Sequence, residues 1–284
     1  MSPLQYLGRQ LATFLAKPRD RNSHIPTSPY GLLAATLRKG DVVLVEGSSR
    51  FASAIKYLTQ STWSHAALYI GDTLGPPPAG EEPRVLVDVD VVEGVRTIPL
   101  SAFSGLHTRI CRPVGLGEAE VAALIRFMLD RKGITYDLKN IFDLARYFIR
   151  TPPMPGSMRR RALALGSGEP TKAICSTLLA QAFASVRYPI LPEVELVDAR
   201  APGMEHARRE ILHIRHHSLY APRDFDVSPF FAVVKPRLEQ GFDFRQLEWR
   251  APDDGADAAP LPQGLPEPAS SASRLSSQDV PPAA

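Results

Sequence analysis

The chain has 284 residues, 44% of them hydrophobic, which bounds it at one large domain or two small ones with a real core. Its 33 basic and 30 acidic residues leave a net charge of only +3, without the clustered basicity of a nucleic-acid binder. Two cysteines, Cys111 and Cys175, allow at most one disulfide, and free thiols in a reducing cytosol suit a chain of this size better. No apolar stretch approaches a membrane span, and no secretory leader pattern opens the chain. A cytoplasmic protein is expected, with a membrane surface as a candidate peripheral contact.

Ser2, Pro3 and Gln5 read as a helix start, and Leu4, Leu7, Leu11, Phe14 and Leu15 follow at helical spacing before Lys17-Pro18 ends the run. Residues 1–36 are thus a helix and a polar connector. Leu37 to Asp41 is a turn into a short strand, Val42 to Val45. Phe51, Ile55 and Leu58 mark a helix face, and Ala66 to Ile70 a second strand. The proline-rich stretch from Pro76 to Pro83 is a loop. Val85 to Val92 alternates strictly, with Val85, Val87, Val89 and Val91 on one face and Asp88 and Asp90 on the other. Leu106 to Val114 is a fourth strand. Helices follow over Glu118 to Arg131 and Asp137 to Ile149, then a loop from Thr151 to Pro170. An apolar helix carrying Cys175 runs to about Ala184, and Phe230 to Val234 is a late strand. Residues 251–284 are rich in Pro, Ala, Ser and acid, the composition of a disordered tail. Five acids against Arg274 leave this tail at −4, so the remainder carries +7 of the total of +3.

Three side chains stand out for chemistry. Cys175 lies in the first turns of its helix, where the positive end of the dipole favours a thiolate. Its plainer reading is a buried core thiol. His65 shares a strand face with Ala67 and Tyr69, and the small Ala67 leaves room beside the imidazole for a packed helix. Its plainer reading is a satisfied histidine in a half-buried strand. A histidine acting as base needs an orienting partner on its other ring nitrogen, for which Asp88, Asp90 and Glu93 are candidates. Trp63 and Ser64 are placed to line or cap a cleft. His213, His216 and His217 are not joined by Cys or carboxylates at ligand spacing, so no metal or cofactor is expected. Cys111 reads as structural. The phosphate-loop, dinucleotide and H-E-x-x-H motifs are missing.

The segments Gly40-Asp41-Val42-Val43-Leu44-Val45, Thr59-Gln60-Ser61-Thr62-Trp63-Ser64-His65-Ala66-Ala67-Leu68-Tyr69-Ile70-Gly71-Asp72 and Ile174-Cys175-Ser176 resemble the permuted papain-like proteins of the YiiX/YaeF type. These belong to the NlpC-like superfamily with the lecithin retinol acyltransferase relatives. Tyr136 to Asn140 and Pro222 to Phe225 share the likeness, which spans roughly Leu37 to Pro236. The resemblance implies an α+β, circularly permuted papain-like fold over residues 37–250, its antiparallel sheet packed against the cysteine helix. It implies a triad in which Cys175 is the nucleophile, His65 the base and Asp88 its orienting acid. Asp88 stands where the family usually carries Glu, one methylene longer. Either its strand sits closer to His65, or Asp90 or Glu93 takes the role.

The expected activity is that of a thiol-dependent hydrolase working through an acyl-enzyme. Its substrate is a small molecule, lipid or peptide with an amide or ester bond. The rival expectations are an acyltransferase, a non-catalytic lipid- or peptide-binding module, and a structural domain with a reduced core cysteine.

Overall fold

The computed structural model describes residues 13–15, 17, 28–90, 92–134, 174–198, 208–213, 216–217 and 220–247. Most of the expected N-terminal helix, the helix over 137–149, the loop over 151–170, Lys172 and the tail from residue 251 lie outside them. The chain divides into two compact units, Met1–Phe242 and Asp243–Ala284. In the second, Phe244–Gln246 forms a single 3-10 turn capped by the Asp243 carboxylate.

The first unit is a mixed α+β structure built on a six-stranded sheet. Its strands are β1 (Val42–Glu46), β2 (His65–Tyr69), β3 (Arg84–Asp90), β4 (Gly94–Pro99), β5 (His107–Pro113) and β8 (Phe231–Val234). They lie in the order β4-β3-β2-β1-β5-β8, and every neighbouring pair is antiparallel. Strands β6 (Glu193–Asp198) and β7 (Arg208–His213) form a separate hairpin that is not among the elements expected from sequence. Val194 and Leu212, opposite one another in this hairpin, are both solvent-exposed.

The period-two alternation of side chains sends the sheet residues into two separate cores. One contains Val42, Leu44, Ala66, Leu68, Val87 and Val89, packed with helices α3 (Glu118–Leu129) and α4 (Ile174–Ser185). The other contains Val43, Val45, Ala67, Leu86 and Ile98. It is closed by α1 (Tyr30–Thr36) through Leu33, by Leu37 just beyond it, and by Leu100 and Phe103 of a 3-10 turn. Alternation fails at Val85, where a bulge between Arg84 and Leu86 turns both Val85 and Leu86 toward this second core.

Ala67 therefore does not make room for the cysteine helix. Helix α4 packs on the opposite face, where Leu178, Leu179, Ala182 and Phe183 meet Ala66 and Leu68 at 0–2% exposure. Full burial of each leucine or phenylalanine here is worth about 1.5–3 kcal/mol, enough to fix where the first turn of α4 falls. Between β1 and β2 runs α2 (Arg50–Thr59), whose Ser49 cap accepts a hydrogen bond from the Ala52 amide. Among the described residues, no helix is long and apolar enough to cross a membrane.

Candidate functional site

The start of β2 lies beside the ends of β1 and β3, with Val45 opposite His65 in the ladder. Together with the first turn of α4 these termini open onto a cleft of about 720 Å³. His65, Asp88, Asp90, Arg96 and Cys175 all line it. The loop Gly47–Ser48–Ser49 with Phe51, Ala52 and Ile55 of α2, the 101–106 segment, and Val45, Ser64 and Val89 of the strand ends supply the remainder.

Asp88 reaches the imidazole directly. Its Oδ2 lies 3.0 Å from His65 Nε2, although the carboxylate is only 2% exposed. The shorter acid suffices because β3 pairs directly with β2, so the strand is already close. The other two acid candidates are occupied elsewhere. Asp90 Oδ1 accepts from the amides of Val92 and Glu93 and shapes the β3–β4 turn. Glu93 is well exposed and pairs with Arg96.

With Nε2 committed to Asp88, Nδ1 is the ring nitrogen left for the sulfur. Cys175 is 4% exposed in the first turn of α4, where the amides have no intrahelical acceptor. Burial works to lower the proton affinity of His65. The charge of Cys175 and the hydrogen bonds of Asp88 and Cys175 outweigh it and push the imidazole up to about 10. Burial likewise works to raise Asp88, yet the hydrogen bonds from His65 and then Arg96 hold it below its ordinary value. Both shifts favour a protonated imidazole beside the Asp88 carboxylate at neutral pH. Cys111 behaves differently. It is fully buried in β5, and burial, aided by the charge of Asp226, pushes its thiol far up.

Arg96 does not figure among the residues singled out from sequence. It sits opposite Asp88 in the β3–β4 ladder and donates from Nε to Oδ1 at 2.9 Å and from Nη2 to Oδ2 at 3.3 Å. The signal was present in the sequence. A tight turn over Asp90 to Gly94 places residue 96 across from residue 88, and Gly94 adopts the left-handed φ of +76° that such a turn favours. The serine-rich loop was also missed. Ser64 Oγ accepts from the Gly47 amide at 2.9 Å and so ties that loop to the residue before His65.

Of the two residues preceding His65, Ser64 lines the cleft, while Trp63 is buried in the core and donates its indole N–H to Asp226 at 2.9 Å. His213 pairs with Glu195 in the β6–β7 hairpin. No group of three or more His, Cys, Asp or Glu among the described residues is arranged to hold a metal ion.

No protein family and no curated protein matches this sequence. Among solved structures, the chain is similar to the metalloprotein yiiX from Escherichia coli O157:H7 (DUF1105). The two share 12% identity and a TM-score of 0.40 over 69% of this chain and 96% of that one, a likeness too weak to assign a family or a chemistry.

Proposed function

We propose that the chain is a thiol-dependent hydrolase of the permuted papain-like type, cleaving an amide or ester through an acyl-enzyme. The observation that carries this reading is the His65 imidazole, held on Nε2 by a 2%-exposed carboxylate and lining the same cleft as Cys175. A carboxylate on one ring nitrogen fixes the tautomer and ring plane, leaving the other nitrogen for proton transfer.

The thiolate of Cys175 attacks the substrate carbonyl carbon and forms a C–S bond. The first-turn amides of α4 are suited to hold the resulting oxyanion. The tetrahedral adduct collapses and expels the amine or alcohol, which takes its proton from the His65 imidazolium. His65, now neutral, accepts a proton from water as that water attacks the thioester. The carboxylic acid departs, and the imidazolium and thiolate are restored. Asp88 keeps its charge throughout and orients Nε2–H.

The test is hydrolysis of p-nitrophenyl butyrate by the full chain, with intact-mass detection of a butyryl adduct on Cys175. Wild type is expected to turn over and to show the adduct, and Cys175→Ala and His65→Ala to lose both. Full turnover by either variant overturns the assignment. An adduct released only on adding an amine or alcohol acceptor makes the protein a transferase. A folded wild type that neither turns over nor acylates leaves a binding module.

A further inference from the structure

We propose that Arg96 is a positioning residue of this site, holding Asp88 in the orientation and charge state that His65 requires. The inference rests on the hydrolase reading above. A carboxylate rotates easily about its terminal torsion, and one contact with an imidazole does not fix its plane. Arg96 removes that freedom because Nε meets Oδ1 and Nη2 meets Oδ2, the two-point grip that a planar guanidinium makes on a carboxylate. Oδ2 is thereby left aimed at His65 Nε2.

The guanidinium is itself held. Nη1 donates to Glu93 at 3.1 Å, and Nη2 lies 3.4 Å from Asp90 Oδ2. Asp90 is anchored in turn by the amides of Val92 and Glu93. A line of contacts therefore runs from the backbone of the β3–β4 turn through Arg96 and Asp88 to His65. An exposed arginine pair contributes little. This one has a carboxylate with almost no access to water, compensated among the described residues by His65 and Arg96.

The groups around Asp88 set the expected sign. His65 faces it from β2 and Arg96 from β4. Asp90 shares its strand, Glu93 lies beyond Arg96, and Cys175 of α4 lies beyond His65. Removing Arg96 leaves three carboxylates near one imidazolium, so Asp88 takes up a proton at higher pH than before. The acid limb of thiol reactivity must then rise.

The experiment follows iodoacetamide labelling of Cys175 against pH by intact mass, alongside kcat and KM for p-nitrophenyl butyrate, in wild type, Arg96→Ala and Arg96→Lys. Arg96→Ala is expected to lower kcat about 10- to 100-fold, the size of effect seen for outer partners that orient a ligating histidine. KM should hold and the acid limb should rise. Arg96→Lys, which keeps the charge but loses the two-point grip, should lower kcat while leaving the acid limb near the wild-type position. A folded Arg96→Ala protein with wild-type kcat and labelling profile overturns the proposal. Should Arg96→Ala fail to fold, a Lys variant with undiminished kcat overturns it. If Cys175→Ala keeps turning over substrate, the hydrolase reading falls, while the labelling profile still reports on Arg96.

Discussion

Asp88→Asn separates the charge of the acid from its shape. Asparagine keeps the volume and one carbonyl oxygen but loses the anion that His65 Nε2, Arg96 Nε and Arg96 Nη2 all address, at 3.0, 2.9 and 3.3 Å. At 2% exposure, water does not replace it. Removing one partner of a buried ion pair costs about 3–5 kcal/mol. Arg96 is one-third exposed and keeps Asp90 and Glu93, so its share is discounted, whereas His65 loses a charge-assisted bond outright. The expected loss is about 2–3 kcal/mol near neutral pH.

The pH dependence follows from the two shifts. Asp88 is depressed in the folded state, so its contribution is present above the ordinary carboxylate value of about 4 and fades as pH falls through the lower folded value. His65 is raised from 6.5 to about 10, so its contribution is complete below 6.5 and fades as pH climbs toward about 10. Asp88 supplies part of the His65 rise, after the charge of Cys175, so the gap between wild type and variant should be widest between about pH 4 and 6.5, closing below that window and narrowing in part above it. Urea unfolding followed by tryptophan fluorescence across that range measures it. Equal midpoints at about pH 6, or a gap that persists undiminished at about pH 2, would refute the reasoning.

Gly47→Ala is expected to disturb the cleft, because the added Cβ would fall 2.9 Å from Ala52 Cβ and 3.0 Å from Ser64 Oγ. Ala52 sits in a helix and yields little, so a loss of about 1–3 kcal/mol is anticipated in thermal melts. An unchanged melting temperature would count against this close contact. Asp41→Ala supplies a contrast far from the sulfur. Asp41 is 1% exposed and holds Arg112 through two 2.8 Å hydrogen bonds, and it also accepts from the Arg38 amide. Its loss should cost about 3–5 kcal/mol of stability. The iodoacetamide rate at Cys175 should not change, and a slower rate in the folded variant would show that this pair is coupled to the site.

The sequence carried the site further than it carried the sheet. His65 was readable as a strand residue, Asp88 as the polar phase of an alternation, and Cys175 as a first-turn helix residue, because each depends on local period. The small Ala67 is not what brings them together. Ala67 faces away from α4, and His65 and Cys175 come together where the strands end rather than across the face of the sheet. Burial of Asp88 was not readable, since it depends on Arg96 in a strand that periodicity did not reveal. Strand β4 reads Gly-Val-Arg-Thr-Ile-Pro, short and bounded by glycine and proline. Helix α1 was missed because Gly31 and Thr36 are poor helix formers. It forms because Leu33, with Leu37 one turn on, covers the second core.

The order of the strands along the chain also has a consequence for biosynthesis. The imidazole, the carboxylate and the guanidinium all come from residues 65–96, within one meander of neighbouring antiparallel strands. The sulfur follows roughly 80 residues later, a delay of about 4–16 s at usual translation rates. The ribosome thus makes the charged half of the cleft before its thiol, and Cys111, the only cysteine made in the interval, is fully buried in the finished fold. The nascent chain therefore acquires its reactive group after the three side chains that direct it.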